Sequence, residues 1–254
     1  MSGSIATRVL GRRHLRVGRL RVPTYTVMLY LGCVSGTLAG AAFAQSTGLA
    51  PGSFVPATIL LLIPAFIGAR LWFVLQHRET FRAEPQRIWR RGEGGSSLYG
   101  GLVLGVVFSV PVLALAGLPF RGFWDAAAIT MLVGLILTRV GCLLNGCCVG
   151  RETAGRLGVH LPDHHGRWRR RYPTPVLEAA WATIVLAGAL ALSPELSFSG
   201  ALFAGVVAAY AAGRLVLEPT RESACPEREQ RVNLIFSALL LAVAVSALVW
   251  RWPA

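Results

Sequence analysis

Apolar positions in this chain come in blocks of membrane-spanning length, with no polar–apolar alternation inside them. Seven such blocks stand out, at roughly 26–46, 55–76, 97–117, 122–142, 174–193, 196–217 and 232–250. As helices, segments of about 20 apolar residues cross the ~30 Å hydrocarbon core of a bilayer. Lipid offers no partners to free backbone groups, so spanning segments are helices or closed barrels. A barrel strand alternates lipid-facing and lumen-facing residues, and these blocks do not. The pattern predicts an all-α integral membrane protein of about seven transmembrane helices. With no internal repeat in view, residues 1–254 read as a single polytopic domain, with an Arg-rich segment at 1–25 and a long functional loop at 143–173.

Composition agrees: 54% of residues are hydrophobic and the mean hydropathy is +0.56. All 25 basic residues are arginine, and the formal net charge is +13. The arginines sit in loops between spans without interleaved aromatics. That points to anionic lipid headgroups rather than nucleic acid. Sorted by the seven spans, nearly all loop arginines fall on one side, which also holds the N-terminal segment; the other side holds only Arg121 and Arg251. The positive-inside rule places the arginine-rich side in the cytoplasm. The Arg-rich start and the run ending Ala42-Phe43-Ala44 fit a cleavable signal pattern, but the first block is expected to remain as a span.

Candidate chemistry concentrates on the arginine-rich side. Arg139 and Arg214 lie near span ends, where a cation is costly unless a partner or polar cavity accepts it. Their planar forks suit bidentate phosphate binding. Arg214, Glu218 and Arg221 share a helical face if the helix continues past Pro219. Arg70 reads equally as an interfacial anchor or a site residue. Tyr99-Gly100-Gly101 opens a span where backbone amides can approach an anion. In Tyr172-Pro173-Thr174-Pro175, Thr174 is expected near the N-cap, with Glu178 favoured by the helix dipole. Cys142, Cys147 and Cys148 lack the C-x-x-C spacing of zinc or thiol-exchange motifs. They read as packing thiols even with His160, His164 and His165 nearby, so no metal and no cofactor is expected. Cys33 reads as a core residue, and Cys225 lies in the last loop.

These residues carry a resemblance. Pro23-Thr24-Tyr25, Gly68-Ala69-Arg70-Leu71, Tyr99-Gly100-Gly101-Leu102, Arg139-x-Gly141-x-x-x-Asn145-Gly146 with Gly150-Arg151, Tyr172-Pro173-Thr174-x-x-x-Glu178 and Arg214-x-x-x-Glu218-x-x-Arg221 follow one another in order. Together they resemble the bacterial prolipoprotein diacylglyceryl transferases, as a divergent member. The resemblance implies a multi-pass enzyme of the bacterial inner membrane. Such an enzyme moves the diacylglyceryl group of phosphatidylglycerol onto the lipobox cysteine of a prolipoprotein signal peptide. It implies that Arg139 and Arg214 bind phosphate, with Tyr25 and Tyr99 beside them in the catalytic set. Arg70, Gly100, Gly101, Asn145, Gly150, Glu218 and Arg221 are then substrate-binding. The chain departs from the family at Tyr99, where histidine is usual, at Cys142, where asparagine is usual, and at Cys147, where glutamate is usual. The resemblance also implies that the arginine-rich side faces away from the cytoplasm, opposite to the arginine count. The alternatives are a divergent phospholipid-binding membrane protein with altered or lost chemistry, and a non-enzymatic carrier or channel.

Overall fold

The structure is a computed structural model that describes residues 14–17, 20–89, 97–163, 166–196, 198–222 and 226–251. Its long helices are α1 (Thr24–Ser46), α2 (Pro51–Gln76), α4 (Leu98–Ala116), α5 (Phe120–Asn145), α6 (Thr174–Leu192), α7 (Ala201–Leu217) and α8 (Pro226–Arg251). A short α3 (Arg78–Ala83) and a 3-10 turn (Pro85–Trp89) follow α2. Among the described residues, seven helices are long and apolar enough to cross a membrane. Large apolar side chains such as Leu115, Val216 and Trp250 are exposed along them, as lipid-facing positions require.

Several helix ends differ from the sequence expectation: α2 begins at Pro51 rather than 55 and α8 at Pro226 rather than 232, and two further ends show why. Helix α5 runs through Gly141 and Cys142 to Asn145, because Gly141 is taken up by packing: a Cβ there would lie 2.8 Å from Met28 Cβ. Helix α7 begins only at Ala201, after a turn in which Gly200 has φ 95°. Its free amides are capped from another helix: Asp125 on α5 accepts from the Gly200 and Phe203 N–H groups at 2.6 and 2.9 Å. A carboxylate at a helix N-terminus supplies both acceptor and favourable charge.

The chain divides into two compact units, residues 1–40 with 125–254, and residues 41–124. In the smaller unit α2 and α4 meet backbone to backbone at Gly68 and Gly100. A Cβ on Gly100 would lie 2.2 Å from the Gly68 carbonyl oxygen and 2.4 Å from Trp72 Cβ. Small residues at such crossings let membrane helices approach closely. Trp124 donates to Ser109 at 3.0 Å, and the rings of Phe54 and Phe123 sit 5.1 Å apart.

In the larger unit α1 crosses α5 through glycine as well: a Cβ on Gly36 would meet the Thr130 carbonyl oxygen at 2.5 Å. Two antiparallel hairpins accompany the helices, β1 (His14–Val17) with β2 (Leu20–Pro23), and β3 (Val159–Pro162) with β4 (Trp168–Arg171). The second lies inside the segment expected as a plain loop. Its strands are short and mostly exposed, so they leave little period-2 signal in the sequence. The turn is closed by Asp163, which accepts from the Arg167 N–H at 3.0 Å, and by Gly166 at φ 81°.

Candidate functional site

Three helices of the larger unit, α5, α6 and α7, and the turn after α7 bring charges to one place, and α8 adds an amide. Glu178, on α6, is only 5% exposed and is approached by three arginines. Its Oε1 accepts from Arg214 Nη1 at 2.6 Å and from Arg221 Nη1 at 2.9 Å, while Arg139 Nε lies 2.9 Å from Oε2. The Arg139 contact is an ion pair by distance but is not aligned as a hydrogen bond, so Arg139 Nε and Glu178 Oε2 are buried without a hydrogen-bond partner. Arg214 also donates to Glu218, one helical turn on, and Asn233 of α8 donates to Glu218 at 2.7 Å. The cluster holds one more arginine than glutamate. Beside it, Leu135, Trp181, Tyr210 and Leu217 surround Arg139, Glu178 and Arg214 in a recess of about 10 Å³, room for roughly one water.

Several expectations change here. Thr174 lies next to the N-cap of α6, as expected, but does not cap it: Pro173 is the N-cap residue with no side-chain cap, and Thr174 Oγ1 bonds Thr220 Oγ1 at 3.1 Å. Glu178 serves the arginines rather than the helix dipole. Arg221 does not reach the cluster on a continuing helix. Helix α7 stops at Leu217, and a 3-10 turn (Glu218–Thr220) delivers Arg221 in extended backbone. Sequence reasoning missed Glu178 as a hub and Asn233 altogether. The available signal for Asn233 was an amide at the entrance of an apolar run.

Gly150 is held by backbone on both sides. Its N–H bonds the Tyr172 carbonyl at 3.0 Å, it bridges Arg221, and the Arg151 N–H bonds the Thr220 carbonyl at 2.9 Å. A Cβ at Gly150 would meet Thr174 Oγ1 and Tyr172 Cβ at 2.5 Å. The loop is thereby stitched to the ends of α6 and α7, beside the arginine cluster. Arg171, 4% exposed, anchors the same loop through Glu222 at 2.6 Å, Glu152 at 3.3 Å and Asp163 at 3.5 Å.

Where α5 ends, Gly146 at φ 70° closes a Schellman cap: the Cys147 N–H bonds the Cys142 carbonyl at 3.0 Å and the Gly146 N–H bonds that of Leu143 at 3.3 Å. This cap habitually brings the side chains at its two ends into contact, and here they are Cys142 and Cys147. Cys148 follows at φ 57°, left-handed backbone that costs a non-glycine residue of order ~1–3 kcal/mol. The three Sγ atoms all lie within 4.8 Å of one another, so the thiols the sequence spacing set apart are one cluster. Thiol hydrogen bonds from Cys142 and Cys147, helped by Arg139 and Arg221 and opposed by burial, hold Cys148 well below the usual thiol range. For Cys147 the Cys142 hydrogen bond acts the same way, but the Cys148 hydrogen bond and burial outweigh it and push it up to about 11. Tyr25, at the start of α1, has Arg139 and all three cysteines as electrostatic neighbours. Asn145 hydrogen-bonds Cys147.

The structure therefore gathers Tyr25, Arg139, Asn145, Gly150, Arg214, Glu218 and Arg221 within the larger unit. Arg70, Tyr99, Gly100 and Gly101 belong to the smaller unit. There Arg70 donates to the Ile88 carbonyl at 3.0 Å and faces the rings of Phe73 and Phe81. Tyr99 is buried, and Gly100 and Gly101 are engaged in helix packing against α2. His160 pairs across β3–β4 with Arg170, while His164, His165 and Cys225 lie outside the described residues.

Comparison with known proteins adds a second line. The profile of the family described as prolipoprotein diacylglyceryl transferase matches residues 13–250. A phosphatidylglycerol–prolipoprotein diacylglyceryl transferase of Corynebacterium diphtheriae is 26% identical over 252 residues, covering 91% of this chain and 89% of that protein. Similarly named proteins of Shouchella clausii and Lactiplantibacillus plantarum are 25% and 27% identical, covering 95% and 93% of this chain and 90% and 88% of their own lengths.

Proposed function

The chain belongs to the prolipoprotein diacylglyceryl transferase family, and from that premise we propose that it moves the diacylglyceryl group of phosphatidylglycerol to the lipobox cysteine of a prolipoprotein, in the bacterial plasma membrane. The substrate sulfur attacks the glyceryl carbon that carries the phosphate. A C–S bond forms, the C–O bond breaks, and glycerol phosphate departs with the electron pair. The leaving phosphate gains negative charge as the bond breaks, and the thiol's proton passes to that glycerol phosphate. Fixed donors aimed at that developing charge are the largest catalytic contribution such a site can make.

The observation that carries this reading is the arginine cluster around Glu178. Arg139 and Arg214 border one recess, and Arg139 has a buried N–H without a hydrogen bond, a donor that a phosphate oxygen can take up. In this reading Arg139 and Arg214 clamp the phosphate, and Glu178, Glu218 and Arg221 hold the forks in register. Tyr25, Asn145 and Gly150 shape the headgroup site. Tyr99 is a poor base at neutral pH, because phenol has a reference pKa of about 10. Gly100 and Gly101 are accounted for by helix packing.

The test is direct. The purified full-length protein is incubated with phosphatidylglycerol and a lipobox peptide, and thioether-linked diacylglyceryl peptide is measured by mass spectrometry. Product is expected; its absence where an authentic family enzyme works defeats the proposal. Arg139→Lys should lower turnover by at least about tenfold, since an ammonium cannot reproduce a planar two-pronged contact. A lysine variant of normal turnover and lipid affinity contradicts the clamp.

A further inference from the structure

We infer that Cys142, Cys147 and Cys148 form a tris-thiolate site for a divalent d10 cation of the zinc class. Three observations carry this. The Sγ atoms lie within 4.8 Å of one another. Sulfurs sharing one zinc-class ion at Zn–S distances of about 2.3 Å stand about 3.8–4.0 Å apart, so rotamer adjustments of modest size close the site. The scaffold is built rather than accidental: the Schellman cap at Gly146 fixes Cys142 against Cys147, and the left-handed backbone at Cys148 turns the next residue to the same cluster. The donor set is chemically uniform, three soft sulfurs, which selects zinc-class and other thiophilic ions over magnesium or calcium.

Environment and access agree. Cys142 is buried, whereas Cys147 and Cys148 are partly exposed, so an ion reaches the cluster from the loop side. Three thiolates around a divalent cation carry one surplus negative charge, and Arg139 and Arg221 act electrostatically on Cys148. Three protein ligands leave a fourth position open, the arrangement of sites that accept an exogenous ligand rather than closed structural ones. The inference does not rest on the transferase reading, and its readout is metal binding rather than turnover.

The experiment uses the full chain purified in detergent under reducing conditions, stripped with a chelator and titrated with Co²⁺. The expected result is a sulfur-to-cobalt charge-transfer absorption that saturates at one ion per chain and is displaced by Zn²⁺. The band is expected to be lost in Cys142→Ser, Cys147→Ser and Cys148→Ser, and kept in Cys33→Ser. No band, or an equal band in the triple serine variant, overturns the site. So does an intact mass reduced by a pair of hydrogens with two of the three thiols refractory to alkylation under these conditions, which makes the cluster a disulfide. Should the serine variants fail to fold, the unmodified protein decides: Zn²⁺ is expected to protect these three cysteines from iodoacetamide and to leave Cys33 labelling unchanged, and equal labelling with and without Zn²⁺ overturns the inference.

Discussion

At the scale of single residues, the site turns on Glu178. Arg139 and Arg214 are legible in the sequence because a cation near a span end calls for a reason on its own. Glu178 is not, because a glutamate early in a helix already has a sufficient local reason. Its three arginines come from α5, α7 and the turn after α7, at sequence distances no motif window covers. The consequence is measurable. Removing one partner of a buried ionic cluster leaves uncompensated charge and costs about 3–5 kcal/mol. Glu178→Gln should therefore lower the thermal unfolding midpoint in detergent well below that of the parent protein; an unchanged midpoint removes Glu178 from the centre of the cluster. The cysteines make the complementary case. Their spacing argues against shared chemistry only if the chain is read as a line. A Schellman cap folds the line back, and residues five apart become neighbours.

Among the elements, glycine does two different jobs that look alike in the sequence. Gly100 and Gly68 are contact points where α2 and α4 touch backbone to backbone. Gly188, on α6, has nothing within 4 Å of the place its Cβ would occupy. Gly100→Ala should cost about 1–3 kcal/mol, in the range of overpacked cores. Gly188→Ala should be neutral or stabilising by up to about 1 kcal/mol, since alanine is the better helix former. Thermal unfolding of both variants in one detergent checks the contrast, and equal behaviour would remove the packing explanation for Gly100. Gly150 belongs with Gly100: Gly150→Ala collides with Thr174, Tyr172 and Thr220, and should loosen the loop stitched to α6 and α7, read as faster proteolysis between residues 146 and 172. The tyrosine–glycine start of α4 suggested an anion site because paired glycines permit both uses, and only the neighbouring helix distinguishes them.

For the molecule as a whole, orientation is the open contest between charge counting and family. The structure weakens the count. Of the counted loop arginines, Arg221 is paired with Glu178, Arg171 with Glu152, Asp163 and Glu222, and Arg167 with Asp163. Arginines neutralised within the fold are poor topology signals, whereas the rule depends on positive charge near span ends. Seven candidate spans among the described residues, an odd number, imply that the start of α1 and the end of α8 face opposite sides of the membrane. Reporter fusions are expected to place the start of α1 outside the cytoplasm and the end of α8 inside it. A cytoplasmic signal at the start of α1 would favour the arginine count instead. The sequence alone determined the class of the protein, the number of spans and most of their limits, because the cost of placing a segment in lipid is summed along that segment. It also marked the arginines, since an intramembrane charge is conspicuous wherever it lies. Only the tertiary structure decided which carboxylate gathers those arginines, that three thiols share one place, and which glycines are contact points. Those outcomes depend on distances through space between residues far apart in the chain, and no period or spacing along the sequence encodes them.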